Sequence, residues 1–370
     1  MVEVKKKILE MVQQGKLSTE EALTLLDELD QAEQVKVEKE KEVVTSLSTI
    51  VNDEGDKTEE TAQKKTQHSL KDKLFGAVHT VLDKVKELEL DFKLGQSVEV
   101  SHIFQHGDAS FEDIDIDIAN GKLELIPWDQ RDVRVECHAK VYRTNEVDEA
   151  RKLLQEGTTF TIEKNRLELY AKQKWMKFDA KVFVPIEEYK KVRIRLFNGG
   201  ISAENLKAQT LHAKTANGKV LISNASAEVG EFETANGNIE LTAGAFKKLE
   251  IETINGSISA EGTSLYSDLQ TFNGNINLKL HNRAAQSITA KAVTGSVDLF
   301  IPNESAVEGE LKSNLGGFNL DLSGIQIVEE KNEVAQKTLK FKMIESAFHK
   351  LQIVADTKTG SITVKRNIES

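Results

Sequence analysis

An Asn-Gly pair recurs through the second half of this chain at an almost constant spacing. Successive asparagines are separated by 19, 19, 19 and 18 residues. A fixed period of this size is typical of a repeat fold, in which each repeat forms one structural unit. Asn and Gly both tolerate left-handed backbone, so each pair predicts a tight corner. The predicted corner residues are Asn198, Gly199, Asn217, Gly218, Asn236, Gly237, Asn255, Gly256, Asn273 and Gly274.

Each corner is followed by a short strand whose alternate residues are apolar. About nineteen residues hold two or three short strands and their corners, which suits one coil of a parallel β-solenoid. The alternative is a series of β-hairpins, because Asn-Gly between alternating strands is also a hairpin signal. The constant period favours the solenoid. The residues predicted to point inward are Val220, Ile222, Ile239, Leu241, Ile258, Ala260, Ile276 and Leu278.

The N-terminus has the pattern of a small helical hairpin. Its apolar residues recur at helical spacing, Gly15 ends the first helix, and Ser18 with Glu21 forms a capping box at the start of the second. Helices this short do not bury an apolar face alone. We expect the face to dock on another copy, another part of the chain or a partner. Its residues are Ile8, Met11, Val12, Leu17, Leu25, Leu26 and Leu29.

A charged stretch over 31–68 predicts a flexible linker, with a helical extension allowed at its start. An amphipathic helix follows over 69–89, with apolar residues stepping by four and three. It fits a cap on the β domain, a self-association helix or an in-plane membrane helix, although acidic residues nearly cancel the lysines of its polar face. The candidate interaction residues of this helix are Leu74, Phe75, Val78, Val81 and Val85.

The expected architecture is mainly β. A helical hairpin (1–30), the linker (31–68) and the amphipathic helix (69–89) precede an N-terminal β region or cap (90–196) and the Asn-Gly repeat domain with its C-terminal cap (197–370). One short helix, "EVDEARKLLQEG", interrupts the strands and ends at Gly157. Because a solenoid needs protected ends, residues 90–142 and the tail after Asn332 are the expected caps.

Composition narrows the classes of partner. The net charge of -11 argues against a nucleic-acid footprint but leaves cationic peptides open. The first residues lack the apolar core of a signal peptide, and no run approaches the roughly 20 apolar residues of a membrane span. We therefore expect a cytoplasmic protein or one peripheral to the membrane.

The sequence offers few groups for chemistry. His102 and His106 lie on a strand pattern without a third metal ligand, and Asp113, Asp115 and Asp117 alternate with isoleucines as a solvated strand face would. Cys137, the single cysteine, fits a buried structural residue. Phosphate-loop, dinucleotide and nucleophile-elbow motifs are absent from the sequence. We expect a non-enzymatic protein without metal or cofactor.

Three segments resemble two known families. The opening "ILEMVQQGKLSTEEALTLLDEL" and the junction "KVKELELDFKLGQSVEVSHIFQH" followed by "FEDIDIDIANGKLELIPWD" resemble LiaX/YvlB-like proteins of Gram-positive bacteria. The repeats from Asn198 resemble a bacterial β-strand-repeat family labelled as adhesin. The resemblance implies a non-enzymatic protein of the cell-envelope stress response, linked to membrane damage and antimicrobial peptides, with no catalytic residues.

The leading hypothesis is a binding and regulatory protein. The helical N-terminus would bind a protein partner, a second copy or the membrane periphery, and the β domain would serve as platform. One alternative is a self-assembling, adhesin-like solenoid that stacks end to end. Another is a polysaccharide-binding solenoid, for which the candidate aromatic residues are Trp128, Trp175, Tyr170, Tyr189 and Tyr266.

Overall fold

The computed structural model describes residues 2–48, 97–303, 305–333, 336–344 and 350–367. Three helices lie within these ranges: α1 (Val2–Gln13), α2 (Thr19–Ser48) and α3 (Val147–Glu156). The hairpin of α1 and α2 is confirmed, but α2 runs 30 residues without a break. Residues 31–48 are therefore helical rather than flexible, because the allowed extension continues to the end of the described segment. The remainder of the predicted linker and the helix at 69–89 lie outside the described residues.

The described β domain contains 23 strands in one continuous hydrogen-bonded sheet that folds back on itself. The first twelve are β1 (Val98–His106), β2 (Asp113–Asn120), β3 (Leu123–Trp128), β4 (Val133–Val141), β5 (Thr159–Glu163), β6 (Arg166–Ala171), β7 (Met176–Pro185), β8 (Glu188–Asn198), β9 (Ile201–Glu204), β10 (Lys207–Asn217), β11 (Val220–Ser223) and β12 (Ser226–Asn236). The others are β13 (Ile239–Asn255), β14 (Ile258–Asn273), β15 (Ile276–Leu280), β16 (Ser287–Thr294), β17 (Val297–Ile301), β18 (Ala306–Ser313), β19 (Phe318–Asp321), β20 (Ile325–Asn332), β21 (Lys337–Met343), β22 (Lys350–Thr357) and β23 (Ile362–Arg366).

One repeat forms one coil of a solenoid, as predicted. A long strand ends at the asparagine, the chain turns, and a short strand returns on the opposite side of the core. Long strands pair in parallel with long strands, and Asn198, Asn217, Asn236 and Asn255 lie in register. Short strands pair in the same way. Serial hairpins would have paired neighbouring strands antiparallel, so the parallel register excludes them for these coils.

The core lies between the long-strand layer and the short-strand layer. All eight residues predicted to point inward are at most 3% exposed, from Val220 to Leu278. Alternation along a strand places these side chains inside, and the parallel register stacks them coil upon coil. The apolar core therefore continues along the whole stack of coils.

The corners are held by side-chain ladders. The amide of each corner asparagine from Asn198 to Asn273 donates to the amide oxygen of an asparagine in the neighbouring coil, at 2.7–3.0 Å. The glycine after it lies against the neighbouring backbone. A Cβ added to Gly218 would stand 2.0 Å from the carbonyl oxygen of Gly199, so no side chain fits there. The corner residues are structural.

The order of coils in space differs from their order along the chain at both ends. The coil of β2 and β3 lies between the coils β6–β7 and β8–β9, and the coil of β22 and β23 lies between β16–β17 and β18–β19. Much of the expected caps, in 90–142 and after Asn332, is therefore inner coil. Both segments carry a corner pair of their own, Asn120-Gly121 in the first and Thr359-Gly360 in the second.

Antiparallel strands extend both ends of the stack, and α3 packs at one of them. At one end β1, β4 and β5 pair antiparallel with their neighbours, and Ala150 and Leu154 of α3 are buried. Phe104 of β1 contacts Phe160 of β5 with ring centroids 5.8 Å apart. At the other end β20 and β21 pair antiparallel onto β18. The short helix ends at Gly157, as the sequence predicts.

Candidate functional site

The helical hairpin has its own small apolar core, which one residue of the β domain completes. Ile8, Leu17, Leu25 and Leu29 are buried, whereas Met11, Val12 and Leu26 are half-buried beside them. Leu315, in the loop between β18 and β19, packs against this cluster. The hairpin thus docks on another part of the same chain, which is one of the three outcomes expected from its length.

The capping box of α2 forms as the sequence indicates. Glu21 accepts a hydrogen bond from the Ser18 backbone N–H at 2.8 Å, and the Ser18 hydroxyl accepts one from the Glu21 N–H at 3.2 Å. The first of these bonds lowers the pKa of Glu21. The box fixes the start of α2 and, with Gly15, the angle of the hairpin.

Polar contacts flank the docked hairpin. The Glu28 carboxylate accepts hydrogen bonds from the Asn314 amide at 2.9 Å and from the Lys358 ammonium at 3.1 Å. A cavity of only about 10 Å³ remains between hairpin and β domain at this point, the lower limit for one water molecule. We call Ile8, Leu25, Leu29 and Glu28 the hairpin socket.

The C-terminal end of α2 seats on a second surface of the β domain. Val43, Val44 and Leu47 are buried against a row of outward side chains on the long-strand layer. Each member of this row is the residue before a corner asparagine, and five successive coils contribute one each. We call these residues the pre-corner row: Phe197, Ala216, Ala235, Ile254 and Phe272.

The pre-corner row has a shape that suits a helix. Two small residues, Ala216 and Ala235, form the floor, and Phe197 closes one end while Ile254 and Phe272 close the other. Apolar side chains one turn apart on α2 can settle on such a floor because alanine leaves room above the sheet. The sequence carries the signal for this surface, since every corner asparagine from 198 to 273 is preceded by Phe, Ala or Ile.

The middle of α2 is polar and faces an acidic part of the long-strand layer. Lys39 forms an ion pair with Glu252. Beside it lies a cavity of about 220 Å³ lined by carboxylates of three neighbouring strands. Burial raises the pKa of Glu233, which pairs with Lys214 at 2.8 Å. Carboxylates that lie side by side on neighbouring strands repel each other, so the ion pairs of Lys39 and Lys214 stabilise this group of acidic residues. The cavity carboxylates are Glu231, Glu233, Glu250, Glu252 and Asp268.

The aspartates of β2 correct one expectation. Asp115 and Asp117 are not a solvated face: they are 4% and 1% exposed. Arg193 and Arg195 of the next coil each bind one of them through two guanidinium nitrogens. Parallel register sets the Asp and Arg pairs side by side, and such two-point contacts are strong and directional. Asp113 pairs with Arg166 at the rim.

The other residues considered for catalysis or metal binding, which are Cys137, His102 and His106, lie away from the hairpin and its docking surfaces. Cys137 is buried, and burial raises its thiol pKa to about 11, which opposes nucleophile formation. His102 and His106 lie on β1 as the sequence predicts. Among the described residues no group of three His, Cys, Asp or Glu side chains is placed to hold a metal ion. In the same part of the chain, no helix has the length and apolar character needed to span a membrane.

Of the predicted interaction residues, the structure brings together those of the hairpin. The candidates on the amphipathic helix, Leu74, Phe75, Val78, Val81 and Val85, lie outside the described residues. The contacts that sequence reasoning missed are the two docking surfaces of the β domain, namely Leu315 with its polar neighbours and the pre-corner row.

Comparison with known proteins agrees with this architecture. The Toastrack DUF4097 family model matches residues 111–365, and the SHOCT-like domain model matches residues 5–34. The chain is 44% identical over 365 residues to YvlB, an uncharacterized protein of Bacillus subtilis (strain 168), covering 99% of both chains.

Solved structures with some similarity include a candidate adhesin from Bacteroides fragilis, 13% identical with a TM-score of 0.34, covering 72% of this chain and 97% of that one. A candidate cell adhesion protein from Clostridium sporogenes is 11% identical with a TM-score of 0.22, covering 73% and 100%. The architecture above rests on this chain's own strand register. The match over residues 111–365 and the full-length relative show that the chain belongs to the Toastrack DUF4097 family, as a YvlB-like member with a SHOCT-like hairpin.

Proposed function

We propose that this protein is a non-enzymatic binding and regulatory protein of the bacterial cell-envelope stress response, and that its helical hairpin is the partner-binding module. The observation that carries the proposal is the docking of the hairpin: its apolar socket is occupied by Leu315 of the same chain. A partner that uses the socket competes with the β domain. The β domain is thus both a platform and an internal competitor.

The docking contacts are few enough for reversible release. At the C-terminal end of α2 three apolar side chains are buried, which contributes at most about 5–9 kcal/mol before the entropy of ordering is subtracted. The central contact is a part-exposed ion pair, Lys39 with Glu252, which contributes little. A partner with a few kcal/mol of preference for the free hairpin would shift such an equilibrium.

The envelope-stress assignment is supported by the resemblance of the hairpin and junction to LiaX/YvlB-like proteins. We place the activity in the cytoplasm or at the periphery of the membrane, with a membrane-associated protein, a second copy or a cationic peptide as partner. Sedimentation with anionic vesicles, comparing the full chain with a variant lacking residues 2–30, separates a lipid surface from a protein partner.

Two alternatives find less support in the geometry. End-to-end stacking needs open coil ends, whereas antiparallel strands pair onto β6 and β7 at one end of this stack and onto β18 at the other. Glycan binding needs aromatic rings on one surface. Trp175 and Tyr189 are buried. Half-buried Trp128 donates a hydrogen bond to the Asp132 carbonyl oxygen, and Tyr170 is hydrogen-bonded to Asp115. Tyr266, 40% exposed, lies on β14, several coils from the others.

The test uses an envelope-stress reporter in the native bacterium. Leu315→Glu sets a carboxylate against the apolar socket, and we expect faster amide exchange in α1 and an altered reporter response. Deleting residues 2–30 should abolish the response. Val328→Glu, at an exposed position near the same end of the stack, is the matched control and should leave both readouts unchanged. A reporter indifferent to the deletion and to Leu315→Glu would refute the proposal.

A further inference from the structure

The loops that fill the hairpin socket act as a bound ligand would. Among the described residues of the β domain, Leu315 is the one apolar side chain that packs against the apolar cluster of the hairpin. The contact is closely packed, with about 10 Å³ left beside Ile8, Leu25 and Leu29. A socket of this size takes one branched aliphatic side chain, and an aromatic ring would overpack it.

The polar rim of the socket has a definite charge preference. Glu28 receives an amide donor from Asn314 and an ammonium donor from Lys358, which come from two separate loops. Burial raises the pKa of Asp356, and the nearby Glu28 carboxylate adds to that rise. An acidic segment in place of Lys358 would leave Glu28 beside like charges. The rim therefore selects for cations.

We infer that the partner of the hairpin is a polypeptide segment that presents one leucine-like side chain with a lysine or arginine close by, and that Leu315 and Lys358 are its internal stand-ins. This inference rests on the proposed function and deepens it. The leucine would occupy the space of Leu315, and the cation would replace Lys358 at the Glu28 carboxylate.

The experiment uses the full chain and a fluorescent peptide that copies residues 312–317, which carries a lysine and a leucine three positions apart. In the variant Leu315→Ser the internal leucine is gone. Because Leu315 is half-buried, we expect this variant to bind the peptide roughly three- to tenfold more tightly than the unsubstituted chain, about half the free energy of burying a whole leucine side chain. A peptide with serine in place of leucine should lose that gain.

Charge reversal tests the rim. In the Leu315→Ser background, Glu28→Lys should prefer a peptide whose lysine is replaced by glutamate, an exchange that a purely structural role for Glu28 does not produce. If Leu315→Ser alone leaves the hairpin docked, Lys358→Glu is used in its place. This substitution sets a second carboxylate against Glu28, so that repulsion opens the contact, and the variant is tested with the same peptides. Amide exchange in α1 reports the opening in each variant.

The outcomes separate the two proposals. If an opened hairpin binds all peptides equally, or none, the inference is wrong while the hairpin remains a binding module of other specificity. If the reporter ignores the loss of residues 2–30, the proposed function itself fails. Discrimination by leucine and by the sign of the charge supports both.

Discussion

Leu47 provides the sharpest test of the seat of α2 on the pre-corner row. Its side chain is fully buried under the helix, against outward residues of the solenoid, and it takes no part in the core between the two layers. Leu47→Ala removes most of a buried aliphatic side chain, which elsewhere costs about 2–5 kcal/mol. Because the contact is peripheral, the loss falls on helix docking and not on the coils.

The expected size of the effect follows from that range. A loss of 2–5 kcal/mol shifts the docking equilibrium roughly 30- to 4,000-fold at about 1.4 kcal/mol per factor of ten. Amide hydrogen exchange measured peptide by peptide reports it, since exchange protection tracks the free energy of local opening. We expect protection over residues 36–48 to fall by such a factor, while β10 and β12 keep theirs.

The control is Val35→Ala on the same helix, because Val35 is 47% exposed and its methyl groups contribute little to docking. Equal exchange in both variants would refute the seat on the pre-corner row. A uniform loss of protection across β10 and β12 would refute the claim that helix docking is separable from the stability of the coils.

Other predictions concern the coils themselves. Ala243 has left-handed backbone (φ 52°), so Ala243→Gly should raise the urea midpoint by removing a strain of about 1–2 kcal/mol, less the entropy of a new glycine. Gly218→Ala should destabilise the fold by more than about 3 kcal/mol, whereas Gly317→Ala, with open space around its Cβ, should be tolerated. Cys137, whose pKa is raised to about 11 by burial, should react with a thiol reagent at pH 8 only as fast as the protein unfolds. Burial raises the pKa of Asp356 above its ordinary 3.8. The folded protein therefore loses stability as the pH rises from 3.8 through the folded pKa of Asp356. In urea titrations, Asp356→Asn should be more stable than the unsubstituted chain at pH 7 and equally stable at pH 3.

The period of the Asn-Gly pairs was sufficient to predict the coil. Corner chemistry and alternation are local properties, and each repeat carries both. The interchange of coils at the ends was not predictable from them, because every coil offers the same inward apolar pattern to any neighbour. Which coil lies next to which is decided by contacts between segments far apart in sequence, such as the two-point pairs of Asp115 with Arg193 and of Asp117 with Arg195.

The docking site was half predictable. The apolar face of the hairpin follows from helical spacing, but its acceptor does not. The sequence shows the pre-corner row as one apolar residue before each corner asparagine. The pattern alone does not distinguish this position from an inward core position, and only the strand register shows that it points outward. Leu315 is a single residue in a loop and carries no pattern at all. Sequence periodicity can therefore reveal a surface built from repeated positions, such as the pre-corner row, but it cannot reveal a contact made by one residue, such as Leu315.

The interchanged coils also bear on where this molecule can move. In a simple solenoid the first and last coils are the chain ends, and each can unfold by breaking the interstrand hydrogen bonds to its one neighbouring coil. Here the coil of β2 and β3 and the coil of β22 and β23 are each paired on both sides. Releasing either segment requires two ladders to open together. These two coils therefore resist fraying, and we expect α1 and α2, which are held on the β domain by a few side chains, to open more readily than the coils do.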